Sequence, residues 1–229
     1  MRKKSIHELD INRLRADTPG CESVLHFNNA GAGLMVSPVL NAVTEHLKNE
    51  AEIGGYEAAA AARAAFENTY RELAQFLNCS TNEIALMENA TVAWQAAFYG
   101  LANSFRSGDR IITGEAEYAS NYIAYLQMAE RTGIKIDVVP SNELGEIDVV
   151  ALENMIDEHV KLIAITHIPT NGGLINPAAR IGKIARAASI PYLLDACQSA
   201  GQVPIDVEVV GCDMLSATGR KYLRGPRGT

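Results

Sequence analysis

Short apolar runs punctuate the chain beyond residue 80: EIALME (83–88), RIIT (110–113), IKIDVV (134–139), KLIAIT (161–166) and IPYLLD (190–195). Each has the length and branched aliphatic content of a strand buried on both faces. The segments between them, around 91–103, 119–132, 148–157 and 177–188, are amphipathic or alanine-rich and read as helices. Strand and helix therefore alternate, which predicts an α/β fold with a mostly parallel sheet and helices on both faces. Sheets of this kind bind ligands just outside the carboxyl ends of their strands, so the informative residues are those that follow the apolar runs.

The first 80 residues have a different texture. After a polar lead-in, Ser37-Pro38 provides a helix cap and a first-turn proline, and a helix is expected to about Glu50. Gly54-Gly55 interrupts it. The stretch EAAAAARAAFENTYRELAQFL then predicts one long helix, with Phe66, Tyr70, Leu73 and Leu77 as a stripe facing the core.

Composition narrows the function. The chain has 229 residues, 48% hydrophobic and 21% charged, as expected of a soluble domain with a substantial core. The net charge of -7 is spread along the chain, which argues against a nucleic-acid or anionic-lipid surface, and no apolar run is long enough to span a membrane. A small-molecule partner is the expectation. Cys21, Cys79, Cys197 and Cys212 form no Cys-x-x-Cys pair and have no histidine at zinc-ligand spacing, so no metal is expected and they read as buried thiols of a reduced compartment. The basic N-terminus lacks the apolar centre of a signal peptide, which suggests a cytoplasmic protein.

The chemistry-bearing residues follow the predicted strands. Asn89-Ala90-Thr91 opens a helix, where free backbone N–H groups and the Thr91 hydroxyl make an anion site or a plain cap. Tyr118, in GEAEYASN, offers a ring that can stack on a flat ligand or simply pack. His167-Ile168-Pro169-Thr170-Asn171-Gly172-Gly173 presents the Asn171 amide and the His167 imidazole at the same edge. Asp195, closing IPYLLD, is a carboxylate on a buried strand, costly unless a cation or hydrogen-bond donor meets it, and Gln198 follows. The tail LSATGRKYLRGPRGT places Lys221 among small residues, three positions after Thr218 and beside Arg220, which suits an imine-forming amine near a phosphate or a basic surface loop.

Taken in order, these residues resemble the class V aminotransferases, the family of cysteine desulfurases, selenocysteine lyases, kynureninases and isopenicillin N epimerase-like proteins. The likeness spans about 25–229. It implies pyridoxal 5'-phosphate (PLP) as cofactor and the fold-type I large domain of aspartate aminotransferase. It makes Lys221 the Schiff-base lysine and Asp195 the partner of the pyridine nitrogen, these two being the catalytic residues. Thr91 and Thr218 become phosphate ligands, Tyr118 the stacked ring, Asn171 and Gln198 polar neighbours of the cofactor, and Asn89, Ala90 and Arg220 further cofactor-binding residues. Within His26-Phe27-Asn28-Asn29-Ala30-Gly31, Asn28, Asn29 and Ala30 lie on the substrate side.

Two departures shape the expected activity. Desulfurases usually carry histidine where Tyr118 stands, and Ser-x-His-Lys where this chain reads Thr218-Gly219-Arg220-Lys221, which looks more like the isopenicillin N epimerase-like and sulfur–carbon lyase branch. The family also continues well past this lysine into a small C-terminal domain, so residues 25–229 are expected to form an incomplete large domain behind a lead-in at 1–24. The resemblance implies an amino-acid substrate, a homodimer, and a carbon–sulfur lyase or desulfurase-like reaction. Transamination, epimerisation, or a truncated chain that is catalytically inactive are the alternatives.

Overall fold

The computed structural model describes residues 9–229, so the first eight residues of the expected lead-in lie outside the described residues. The described elements are nine α-helices, α1 (Ile11–Ala16), α2 (Ser37–Ile53), α3 (Gly55–Ala61), α4 (Arg63–Leu77), α5 (Ala90–Ala102), α6 (Ala119–Thr132), α7 (Val149–Asn154), α8 (Ala178–Ala187) and α9 (Val207–Val210), and five strands, β1 (Arg110–Gly114), β2 (Lys135–Val139), β3 (Val160–Thr166), β4 (Tyr192–Asp195) and β5 (Met214–Ser216). They fall into two compact units: residues up to Asn68 with Gly219–Arg227, and Thr69–Thr218 with Gly228–Thr229.

The larger unit is the predicted α/β layer structure. All strand pairs are parallel, in the order β2-β1-β3-β4-β5. Period-two alternation splits the strand residues between two cores. Ile112, Ile163, Ile165 and Leu194 pack with Leu152 of α7, Ile181 of α8 and Val210 of α9. Ile111, Leu162, Ala164 and Leu193 face the opposite side, against Trp94 and Phe98 of α5 and Tyr125 of α6. Trp94 and Phe98, one helical turn apart, stack at 4.9 Å, and Tyr125 meets both edge-on. Each fully buried Ile or Leu contributes roughly 1.5–3 kcal/mol of transfer free energy, which holds helices on both faces.

Arg110 ties down the amino ends of the strands. Its Nε reaches Asp137 of β2 at 2.5 Å, and one terminal nitrogen reaches Asp157 at 2.7 Å and the Met155 carbonyl at 3.0 Å.

Three expectations are corrected. EIALME is not a strand: Ile84 is extended, but no strand of the described sheet pairs with this segment, and an apolar run becomes a strand only where a partner supplies the ladder. The alanine-rich stretch is two helices, parted at Ala62. Its stripe is only partly covered: Tyr70, Leu73 and Leu77 are half-buried, and Phe66 is 56% exposed. Helix α2 begins one residue early, with Val36 as its cap and Pro38 in the first turn. The strand β5 and the helices α1 and α9 were not foreseen.

In the smaller unit, Gly54 separates α2 from α3 at φ 94°, a left-handed conformation that glycine adopts without penalty.

Candidate active site

In the larger unit, the alternation that builds the Trp94 core ends in a polar layer at the carboxyl ends of the strands. Ile111 gives way to Thr113, Ala164 to Thr166 and Leu193 to Asp195, all on the α5–α6 face. Register sets Thr166 beside Asp195 and Asp195 beside Ser216. All four polar side chains are buried, and the Ser216 hydroxyl has no hydrogen-bond partner among the described residues.

Asp195 is held from two sides. Its Oδ1 accepts the Cys197 N–H at 2.9 Å, and its Oδ2 accepts from the Asn121 amide at 3.0 Å. The same Asn121 nitrogen donates to Glu117 Oε1 at 3.0 Å, so one amide joins two carboxyl groups. Glu117 is half-buried, and both of its carboxyl oxygens are hydrogen-bonded. Oε1 also accepts the Tyr118 N–H at 2.7 Å and the Thr166 hydroxyl, and Oε2 accepts from Thr113 at 3.2 Å. Burial, with the negative charge of Asp195 second among the raising effects, pushes Glu117 up to about 7 against the hydrogen bonds that favour its ionised form. Burial and the Glu117 charge likewise push the Tyr125 hydroxyl well above its ordinary value.

The other expected residues of this unit sit at the same edge. Tyr118 caps α6 directly after β1 and is half-buried. Gln198 is buried, three residues past Asp195, and its amide donates to the Thr170 hydroxyl at 3.2 Å. Asn171, next to Thr170, is exposed. His167 is buried; burial lowers its pKa and favours the neutral ring, and its Nδ1 has no partner among the described residues. Asn89 caps α5 by accepting the Val92 N–H at 3.0 Å, with Ala90 and the exposed Thr91 in the first turn. Thr218 is buried and donates to the Thr229 carbonyl at 2.8 Å.

In the smaller unit, the loop carrying Lys221 is stitched to the segment around Asn28. A turn at 28–32 forms as the Asn28 side chain and carbonyl accept the Gly31 N–H, and the His26 ring meets the Ala32 carbonyl at 2.9 Å. Gly33 N–H donates to the Arg220 carbonyl at 2.8 Å, the Arg220 guanidinium donates to Gly31 O, and Arg224 reaches Leu34 O and the Thr18 hydroxyl. A side chain at Gly33 would run into the Lys221 carbonyl oxygen, so only glycine permits this approach. Asn28, Asn29 and Ala30 are thus brought beside the Arg220-Lys221 loop, where Lys221 is buried.

Sequence reasoning missed Glu117, Asn121, Thr166 and Thr170 as site residues. A signal existed for two of them: Glu117 and Asn121 stand four apart where a helix follows a strand, so both face the ligand end of the sheet.

The residues fit PLP. Among the described residues Asp195 accepts one neutral donor on each oxygen, whereas a carboxylate offers about four acceptor sites, so capacity remains for a protonated ring nitrogen. The first turn of α5 supplies backbone N–H groups suited to a phosphate.

Comparison with known proteins follows the same line. The chain is 34% identical over 230 residues to a "Probable cysteine desulfurase" of Xylella fastidiosa and 31% identical over 219 residues to one of Methanothermobacter thermautotrophicus, matching 96% and 94% of this chain and 55% and 54% of theirs. It therefore spans about half the length of these curated relatives. Among solved structures, the apo cysteine desulfurase of Thermococcus onnurineus superposes with a TM-score of 0.87 at 27% identity, over 95% of this chain and 55% of that one. A cystine C–S lyase in complex with its product cysteine persulfide gives 0.85 at 26% identity, over 92% and 57%, and a variant of that lyase holds glycine covalently linked to its PLP cofactor. The pattern of the class-V aminotransferases matches residues 25–229, and the chain belongs to that family of PLP-dependent enzymes.

Proposed function

We propose that this chain is the PLP-binding part of an enzyme that cleaves a carbon–sulfur bond of an amino acid. The observation that carries the reading is the enclosed Asp195 carboxylate at the end of β4, anchored on both oxygens with acceptor capacity to spare. When bound, PLP supplies an electron sink for charge that develops at the substrate's α carbon. Asp195 holds the proton on the ring nitrogen. Lys221 provides the amine that fixes the cofactor covalently and moves the proton at the α carbon, while Tyr118 stacks on the ring and Gln198 and Asn171 orient its polar edge. Thr218, Arg220 and the Asn89-Ala90-Thr91 turn receive the phosphate, and Asn28, Asn29 and Ala30 face the substrate. The names of the relatives support sulfur chemistry.

A second reading, transamination or epimerisation, is favoured by Tyr118, because desulfurases usually carry histidine at that place. In either reading residues 25–229 are the large domain, and the enzyme works as a cytoplasmic homodimer. The four cysteines form no disulfide among the described residues, which suits a reducing compartment, but only Cys197 is buried where all four were expected to be, and Cys21 is exposed.

Borohydride reduction of the PLP-loaded protein, followed by peptide mapping, should place the pyridoxyl label on Lys221. A label elsewhere, with Lys221 unmodified, overturns the assignment. Sulfide release from cysteine or cystine supports the lyase. Amino-group transfer or inversion without sulfide supports the second reading, and a labelled Lys221 without any product identifies an inactive scaffold.

A further inference from the structure

The reading of Asp195 as the ring-nitrogen partner leaves open what aims it. A carboxylate on the last residue of a strand can rotate, and one backbone N–H on Oδ1 does not fix its plane. The second anchor is Asn121, whose nitrogen spends one hydrogen on Asp195 Oδ2 and the other on Glu117 Oε1. Glu117 is itself pinned by Thr166, Thr113 and the Tyr118 N–H. We propose that Glu117 and Asn121 are positioning residues that fix the plane of the Asp195 carboxylate, with Glu117 acting only through Asn121. The inference rests on the proposed role of Asp195.

The chemistry explains why an acid stands behind an acid. Asn121 must present nitrogen, not oxygen, to Asp195, and its amide is forced that way round only if the group behind it is an obligate acceptor. Glu117 Oε1 accepts three donors, which leaves Oε2 to carry a proton, beside Thr113. Its raised pKa lets it do so near neutrality, so the amide need not separate two full charges. The titratable groups facing Glu117 are Asp195 of β4 and Tyr125 of α6.

The test compares two probes on the apo chain: PLP and its carbocyclic analogue, in which carbon replaces the ring nitrogen. Binding is read from the fluorescence of Trp94, the single tryptophan, and folding from far-ultraviolet circular dichroism. Asn121→Leu and Glu117→Leu should weaken PLP about tenfold and the analogue by less than about twofold, as a lost hydrogen bond to a charged group predicts, and Glu117→Gln, which keeps the acceptor, should restore PLP binding to within about threefold. If Glu117→Leu does not fold, Asn121→Leu decides alone. Equal weakening of both probes would mean a scaffold role, and unchanged PLP binding by Asn121→Leu no role; either overturns the inference. Asp195→Ala is the control. If it too fails to discriminate the probes, the reading of Asp195 falls; if it discriminates and Asn121→Leu does not, only the positioning role falls.

Discussion

The two ends of the sheet handle charge in opposite ways. At the amino ends, Arg110 sits between Asp137 and Asp157, so opposite charges meet at a half-open surface. At the carboxyl ends, Glu117 and Asp195 are joined through Asn121, so two acids share one neutral amide in the interior. The first arrangement relaxes the fold and asks for nothing more. The second costs free energy until something positive arrives, and that asymmetry marks the ligand end of the sheet without reference to any relative.

The sharpest way to break this comparison is at Asp195. With PLP loaded, Asp195→Asn should leave the cofactor bound by its absorbance while cutting turnover about a hundredfold or more, because a neutral amide no longer holds the ring nitrogen protonated. Near-normal turnover would show the strained end to be ornamental.

The next effect is on stability. Glu117 is protonated up to about 7 in the folded protein, against an ordinary 4.5 unfolded. Below about 4.5 both states carry the proton and there is no penalty; between there and 7 only the unfolded state ionises, so stability falls as pH rises and levels off above 7. The loss amounts to about 3 kcal/mol. Urea midpoints of the apo chain should decline across that window, and Glu117→Gln should flatten the decline. An unchanged slope in that variant would assign the pH dependence elsewhere.

The smallest effect belongs to the satisfied end. Arg110→Ala should cost about 1–2 kcal/mol, since its partners are partly solvated, and should leave PLP affinity untouched. A change in affinity would mean that the two ends are coupled.

Much of the larger unit was legible because its signals are local. The strands β1 to β4 and the helices α5 to α8 follow from apolar runs and helical periodicity within a few residues of their observed bounds. What failed depended on partners. EIALME has the residues of a strand but no ladder among the described elements, while Met214–Ser216 is too short to announce itself and is a strand only because β4 lies beside it. Phe66 shows the same limit: amphipathicity identifies an apolar face, not what covers it. Asp195 could be picked out as an acid ending a buried strand. Its link to Asn121 crosses 74 residues and exists only once the sheet has aligned β1 with β4 through β3.

The amide of Asn121 also bears on how such a sequence can change over time. Both of its hydrogens are committed, one to each acid. Serine or threonine there would donate one hydrogen, aspartate would add a third acceptor, and glutamine brings the right hydrogens on a longer arm. Asparagine becomes aspartate, serine or threonine by a single-base substitution, so mutations within easy reach fail to supply both hydrogens. Losing the polar group at any one of positions 117, 121 and 195 therefore leaves a donor or an acceptor of the other two unmatched.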